Sequence, residues 1–238
     1  MPIFRKDGKN ILFIHIPKTG GSAVERVFKN SGYESLYLDG KVGRGTVNHL
    51  RRCTPQHMHG AMLQQNFRLS RFDAIFMIVR DPLARLRSEY VWRNRNKEVT
   101  GAASDVERWS VDAFAAYRRD NFLYDNHIRP QADFFVPGAR VYYFENGLPE
   151  AIADLDSSFE LGLVDDIPRV RTAKAHGLAS SAVQISPELR RRVMSFYRDD
   201  YVRFGYDSEG VPTKPATEPF SVRARRALAR RLQSWARG

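Results

Sequence analysis

The stretch Phe13-Ile14-His15-Ile16-Pro17-Lys18-Thr19-Gly20-Gly21-Ser22-Ala23 puts a lysine, two hydroxyls and two adjacent glycines into one turn. An apolar run leads into it and a helical pattern leaves it at once. That combination binds phosphate: glycines let backbone N–H groups converge on an anion, and the helix N-terminus adds partial positive charge. Lys18 supplies a full charge, and the hydroxyls of Thr19 and Ser22 are available as donors. The loop is not a nucleotide-kinase P-loop, because there the lysine follows the last glycine, whereas Lys18 precedes both.

A second anion site is legible in Val79-Arg80-Asp81-Pro82-Leu83-Ala84-Arg85-Leu86-Arg87-Ser88-Glu89-Tyr90. Arg80 leaves an apolar run at the end where α/β sheets bind ligands, and Ser88 follows two helical turns later. Forked guanidinium donors and a hydroxyl suit a second phosphate. A third cluster, Gln56-His57-Met58-His59-Gly60, holds two of the chain's 6 histidines in a polar stretch ahead of the second apolar run.

Elements that must position these residues follow from periodicity. Ile11–Ile16, Ala74–Val79 and Arg140–Glu145 are short, nearly continuous apolar runs rich in β-branched and aromatic residues, which predicts buried parallel strands. Val24, Val27 and Phe28 share a helical face closed by Asn30-Ser31-Gly32, and Leu83, Leu86, Tyr90 and Val91 recur at helical spacing. Ser186 caps a further predicted helix, with Pro187 in its first turn and Leu189, Val193 and Phe196 as its stripe. The expected fold is an α/β, three-layer, P-loop-like domain with a central, mostly parallel sheet flanked by helices. Its expected extent is residues 1–206, with 207–238 as a linker and a basic amphipathic helix.

Composition narrows the partners. The 238 residues carry 38 Lys+Arg against 27 Asp+Glu, a net charge of +11, which calls for an anionic partner without choosing one. From Glu209 onward seven Lys/Arg face two Asp/Glu, so about +5 sits in the tail. Ala224, Leu228, Leu232 and Trp235 share one face there, suited to docking on the domain, on a second subunit or peripherally on a membrane. Cys53 is the single cysteine, so neither an internal disulfide nor a cysteine-based zinc site is expected. No apolar run is long enough for a signal sequence or a span, and no glycosylation sequon occurs, so a cytoplasmic location is expected.

The two anion motifs together, in order and each at a strand-to-helix junction, resemble the PAPS-dependent sulfotransferase superfamily. Lys18-Thr19-Gly20-Gly21-Ser22 resembles its 5′-phosphosulfate loop, and Arg80-Asp81-Pro82-x-x-Arg85-x-x-Ser88-x-Tyr90 its 3′-phosphate motif. Asp125-Asn126-His127-Ile128-Arg129-Pro130-Gln131 is similar to a segment of the carbohydrate sulfotransferases. Tyr197-x-x-Asp200-Tyr201-x-x-Phe204-Gly205-Tyr206 resembles their terminal helix and its aromatic close. The resemblance implies 3′-phosphoadenosine 5′-phosphosulfate as donor, a hydroxyl acceptor, no catalytic metal and no nucleic acid. It also implies that Pro17 and Lys18 with Thr19–Ala23 hold the phosphosulfate, and that Arg80 with Ser88 holds the 3′-phosphate. Arg85 suits a structural ion pair as well as a ligand contact.

Transfer of a sulfuryl group to an alcohol requires a base for the hydroxyl proton and positive charge at the leaving oxygen. Candidate bases are His15, His57, His59, His127 and Glu25. His15, alternating within the first strand, also suits an ordinary core position. In uronosyl 2-O-sulfotransferases a His-x-His element precedes the 3′-phosphate motif and supplies the base, which by resemblance favours His57, with His59 in support. The acceptor, a glycan or glycolipid by the same resemblance, is expected near Arg93, His127 and Arg129. Arg171 and Lys174 lie in a basic, Gly/Ala/Ser-rich stretch expected to close over the donor. Two other classes remain open at this level: a nucleotide-dependent phosphotransferase, and a non-enzymatic polyanion-binding protein.

Overall fold

The computed structural model describes residues 2–97, 100–164, 174–175, 178–207 and 209–213. Strands β1 (Ile3–Lys6) and β2 (Lys9–Ile14) form a hairpin, followed by α1 (Gly21–Asn30), β3 (Glu34–Leu36) and α2 (Gly60–Asn66). Then come β4 (Ala74–Val79), α3 (Pro82–Arg93), α4 (Ala103–Arg119), β5 (Arg140–Tyr143) and α5 (Leu148–Phe159). A two-residue ladder of β6 (Lys174–Ala175) and β7 (Leu178–Ala179) precedes α6 (Pro187–Phe196) and α7 (Arg198–Phe204).

The main sheet has the order β3-β1-β2-β4-β5. β2 pairs in parallel with β4, and β4 with β5, while β1 is antiparallel to both β2 and β3. Four strands therefore run one way and β1 the other, an α/β mixed sheet that is mostly parallel, as expected. Alternation along β4 explains the layers. Ala74, Phe76 and Ile78 face a core shared with Val24, Val27 and Phe28 of α1 and with Ile152 and Leu155 of α5. Ile75, Met77 and Val79 face a second core with Leu63 of α2 and Phe204 of α7. A third cluster joins α3, α4 and α6 through Leu86, Phe114 and Val193.

The expected strands and caps hold with adjusted ends. The first central strand stops at Ile14, so His15 lies just beyond it rather than inside it, and the third stops at Tyr143 ahead of a turn over Phe144–Asn146. Ser186 accepts from the Leu189 N–H at 3.0 Å and caps α6. The N-terminal hairpin strand was hidden by its polar, charged look: Arg5 and Lys6 alternate with the buried Ile3 and Phe4 only in part. Among the described residues no helix is long and apolar enough to cross a membrane. The amphipathic segment 221–238 and Arg171 lie outside the described residues, as does the side chain of Lys174.

Candidate functional site

The C-terminal ends of β2, β4 and β5 lie along one edge of the sheet. The chain leaving β2 runs through α1 toward β3, on the far side of β1, whereas the chain leaving β4 runs toward β5. The crevice between β2 and β4 is therefore a topological switch point, where open α/β sheets bind ligands. Both predicted anion motifs open into it.

In the first loop, Lys18 and Gly20 take left-handed conformations, with φ of 70° and 89°. A side chain at residue 20 would also meet Leu148 and Phe144 at 3.1 Å. Thr19 is fully buried and its hydroxyl donates inward to the Ile16 carbonyl at 2.9 Å, so it braces the loop. Ser22 is exposed on the first turn of α1 and Ala23 is buried beneath it. The Lys18 ammonium lies 4.6 Å from the centre of the Trp92 ring. Burial pushes its pKa down to about 8, with Glu89 opposing and Arg80 assisting.

Arg80 reaches back from β4 and donates to the Lys18 carbonyl at 3.3 Å, with its guanidinium 4.4 Å from the Phe144 ring centre. Its Nε is buried without a partner among the described residues. A guanidinium held over an aromatic ring with an unspent buried donor fits an anion that completes it. Gln131 fixes its backbone on both sides, accepting from the Arg80 N–H at 2.9 Å and donating to its carbonyl at 2.7 Å. Asp81 caps α3 by accepting from the Leu83 and Ala84 N–H groups, and Ser88 lies buried two turns on. Arg85 forms no ion pair within contact distance of the described residues. It is buried and donates to the carbonyls of Pro17 at 3.1 Å and His127 at 2.7 Å, tying the phosphate loop to the segment below.

Beside these loops three histidines meet edge to face. His57 lies 5.1 Å from His15 and 5.1 Å from His127, ring centre to ring centre. Each Nδ1 is held by a different carboxylate: His15 by Glu25 at 2.8 Å, His57 by Asp125 at 2.7 Å and His127 by Glu89 at 2.7 Å. At His57 the carboxylate on Nδ1 keeps the proton there and leaves Nε2 free to accept. Burial pushes the His57 pKa down to about 3, despite the Asp125 hydrogen bond, and the two other imidazoles add to the effect. His57 is thus neutral at physiological pH.

Asp125 is presented by an unusual backbone. Tyr124, Asp125 and Asn126 are all left-handed, with φ of 54°, 59° and 65°. A run of three such L-residues is strained, and Asp and Asn tolerate it better than Tyr. Arg93 donates to the Tyr124 carbonyl at 3.1 Å and Asn126 Nδ2 to the His57 carbonyl at 2.8 Å, which holds the turn. The Asp125 carboxylate also accepts from the Thr54 N–H at 2.6 Å and the Thr54 hydroxyl at 2.8 Å. These bonds together with His57 keep it anionic, with its pKa lowered although burial alone would raise it.

Of the predicted residues, Lys18 and Arg80 meet through the Lys18 carbonyl, and His57 and His127 meet in the imidazole cluster, whereas Ser88 is buried on α3. Arg93 reaches the same region, where it pairs with Glu89 at 2.6 Å. Arg129 is buried and spends its donors on Asn126, Asp133 and the Asn121 carbonyl. His59 turns toward Phe122, 5.8 Å away, instead of joining the imidazole cluster. Sequence reading passed over Asp125 and Glu89 as site residues, along with Gln56, Trp92 and Phe144. Asp125 and Glu89 stand inside the motifs already singled out, but only their partners in space mark them. Among the described residues no group of three His, Cys, Asp or Glu side chains is arranged to hold a metal ion.

Comparison with known proteins bears on the same segments. No curated protein and no solved structure shows a significant match to the chain. A family model does: residues 1–207, which contain both predicted anion motifs, the three imidazoles and their carboxylates, match that of the Sulfotransferase family, and the chain belongs to it.

Proposed function

We propose that the protein transfers a sulfuryl group from 3′-phosphoadenosine 5′-phosphosulfate to a carbohydrate hydroxyl, with His57 as the base. The observation that carries this reading is the His57–Asp125 pair. It is a buried, neutral imidazole whose Nδ1 is tied to a carboxylate, one ring away from the phosphate loop. In the reaction the acceptor oxygen bonds to sulfur as its proton passes to His57 Nε2. The bond from sulfur to the 5′-phosphate oxygen breaks, and the negative charge that appears there is met by Lys18 and the N-terminus of α1.

The donor's two anionic ends fit the two loops: Pro17 to Ala23 for the phosphosulfate, and Arg80 with Ser88 for the 3′-phosphate. His127 and Arg93, on the outer side of the imidazole cluster, suit the acceptor, and buried Arg129 supports the turn that carries Asp125. Arg171 and Lys174 remain candidates for closing over the donor. Sugar hydroxyls are the favoured acceptor class because the sequence resembles carbohydrate sulfotransferases around Asp125–Gln131. Residues 207–238, whose first described part folds back so that the Thr213 N–H donates to the Gly205 carbonyl, are read as a linker and basic helix that brings the domain to its partner or to a membrane surface in the cytoplasm.

The test is calorimetric titration with 3′-phosphoadenosine 5′-phosphate without magnesium, with AMP as control. The reading expects micromolar binding, much weaker AMP binding, and loss of the preference in Arg80→Ala. Absence of binding, or binding of ATP only with magnesium, refutes it in favour of a phosphotransferase. An acceptor screen with His57→Ala as blank then identifies the sugar.

A further inference from the structure

His15 suits an ordinary core position by sequence, yet three features of its surroundings set it apart. The first concerns Gly21. Unlike Gly20, it has no left-handed backbone; it is the first residue of α1, where glycine is a poor helix former and nothing in its own conformation demands it. What demands it is His15. A Cβ at residue 21 would lie 2.1 Å from His15 Nε2, so only glycine lets the imidazole edge reach the first turn of the helix.

Orientation is the second feature. His15 Nδ1 donates to Glu25 Oε1 at 2.8 Å, and Gln56 Nε2 donates to the same oxygen at 2.9 Å. The 3.0 Å approach of Gln56 Nε2 to His15 Nδ1 is then a contact between two donors sharing one acceptor. With Phe13 stacked on one face at 5.4 Å, the ring is fixed and its Nε2 makes no hydrogen bond to the described residues. A histidine serving only to fill space has no use for a carboxylate and an amide that aim its far nitrogen.

Place in the site is the third. His15 spans the interval between the His57 ring, 5.1 Å away, and the first turn of α1. In the transfer proposed above, the acceptor oxygen lies at His57 and the donor phosphate at that turn. The sulfuryl group passing between them lies alongside His15.

We propose that His15 is a second catalytic imidazole, whose Nε2–H hydrogen-bonds an oxygen of the sulfuryl group during transfer. This rests on the sulfuryl-transfer reading. Because Nδ1 keeps its proton toward Glu25, a donor at Nε2 means that the ring acts as an imidazolium, balanced by Glu25. The charged and titratable groups facing it are Glu25 from α1 and His57, with Asp125 and His127 behind. His15 keeps its proton throughout; the hydroxyl proton goes to His57.

The experiment compares the binding of the sulfated donor and its desulfated product in His15→Gln and His15→Phe, since only the sulfated one carries the group His15 is assigned to hold. A charge-assisted hydrogen bond predicts about a ten- to hundredfold loss of affinity for the sulfated donor. The desulfated nucleotide is expected to bind within about threefold of wild type, and kcat to fall with the sulfated-donor affinity. His15→Gln, checked by thermal melting, carries the test if the phenylalanine variant fails to fold. Equal affinity changes for both nucleotides, or none, overturn the assignment while leaving the sulfotransferase reading intact. Failure of wild type to bind either nucleotide overturns both.

Discussion

Replacing Asp125 with Asn changes one oxygen into an amide nitrogen and tests the role of His57 without disturbing its place. Asn tolerates the left-handed backbone at residue 125 as Asp does, so the turn is kept. In the native protein one carboxylate oxygen takes the Thr54 N–H at 2.6 Å, and the other takes the Thr54 hydroxyl and His57 Nδ1 at 2.8 and 2.7 Å. Asn has a single acceptor oxygen. If its NH₂ faced Thr54, a buried backbone N–H would lose its partner, at about 1–3 kcal/mol. The amide therefore points its NH₂ at His57, which must accept at Nδ1 and carry its proton on Nε2, where the base is needed. That preference alone holds the productive tautomer to about one part in ten to one hundred. Losing the carboxylate's attraction for the imidazolium formed in the reaction costs about as much again. The expected fall in kcat is about 10²–10⁴, within the usual range for general-base catalysis. The assay is initial-rate transfer from labelled donor to a responsive sugar acceptor, with the affinity for 3′-phosphoadenosine 5′-phosphate measured alongside. Affinity is expected to stay within about threefold of wild type. A variant turning over within about fivefold of wild type would refute the base assignment. A parallel fall in product affinity would move Asp125 to the donor pocket.

Two further outcomes follow from charge and burial. Glu89→Gln removes the partner of both His127 and Arg93 in a buried position. The low end of about 3–5 kcal/mol is expected, because one acceptor oxygen remains, and the melting temperature should drop by about 6–12 °C. Burial alone would raise the Glu89 carboxyl, but the hydrogen bonds and charge of His127 and Arg93 outweigh it and hold its pKa down to about 2 from an ordinary 4.5. Its contribution is therefore fully present above pH 4.5 and lost as pH falls through about 2; a melting shift under 2 °C at pH 7 would refute the pairing. The second outcome concerns Lys18, a cation that loses its proton near pH 8 because it is buried. Affinity for 3′-phosphoadenosine 5′-phosphate should be flat from pH 6.5 to 7.5 and then fall toward about tenfold per unit above pH 8. Lys18→Arg, always charged, should flatten that slope, and an unchanged slope would show that another group titrates.

Much of this protein was legible before its structure. Local backbone demands write themselves into the chain: a glycine pair beside a lysine after an apolar run announces a tight turn into a helix, and an arginine followed by Asp-Pro at a strand end announces a capped helix start. The α/β class, the three central strands and the Ser186 cap follow from periods of two and 3.6 and from capping chemistry. What the chain order could not convey is which side chains share a space when residues far apart in sequence meet. His15, His57 and His127 come from a strand end, a loop and a left-handed turn, and their carboxylates from two helices and that same turn. Asp125 stood inside a segment already singled out, yet only the tertiary structure aims it at a residue 68 positions away. Arg85 likewise matches an anion motif, but burial commits it to the carbonyls of Pro17 and His127. Short-range sterics and hydrogen bonding set the turns and elements. Proton positions and charge states were decided by long-range packing, because burial and partner distance, which control them, are properties of the folded interior.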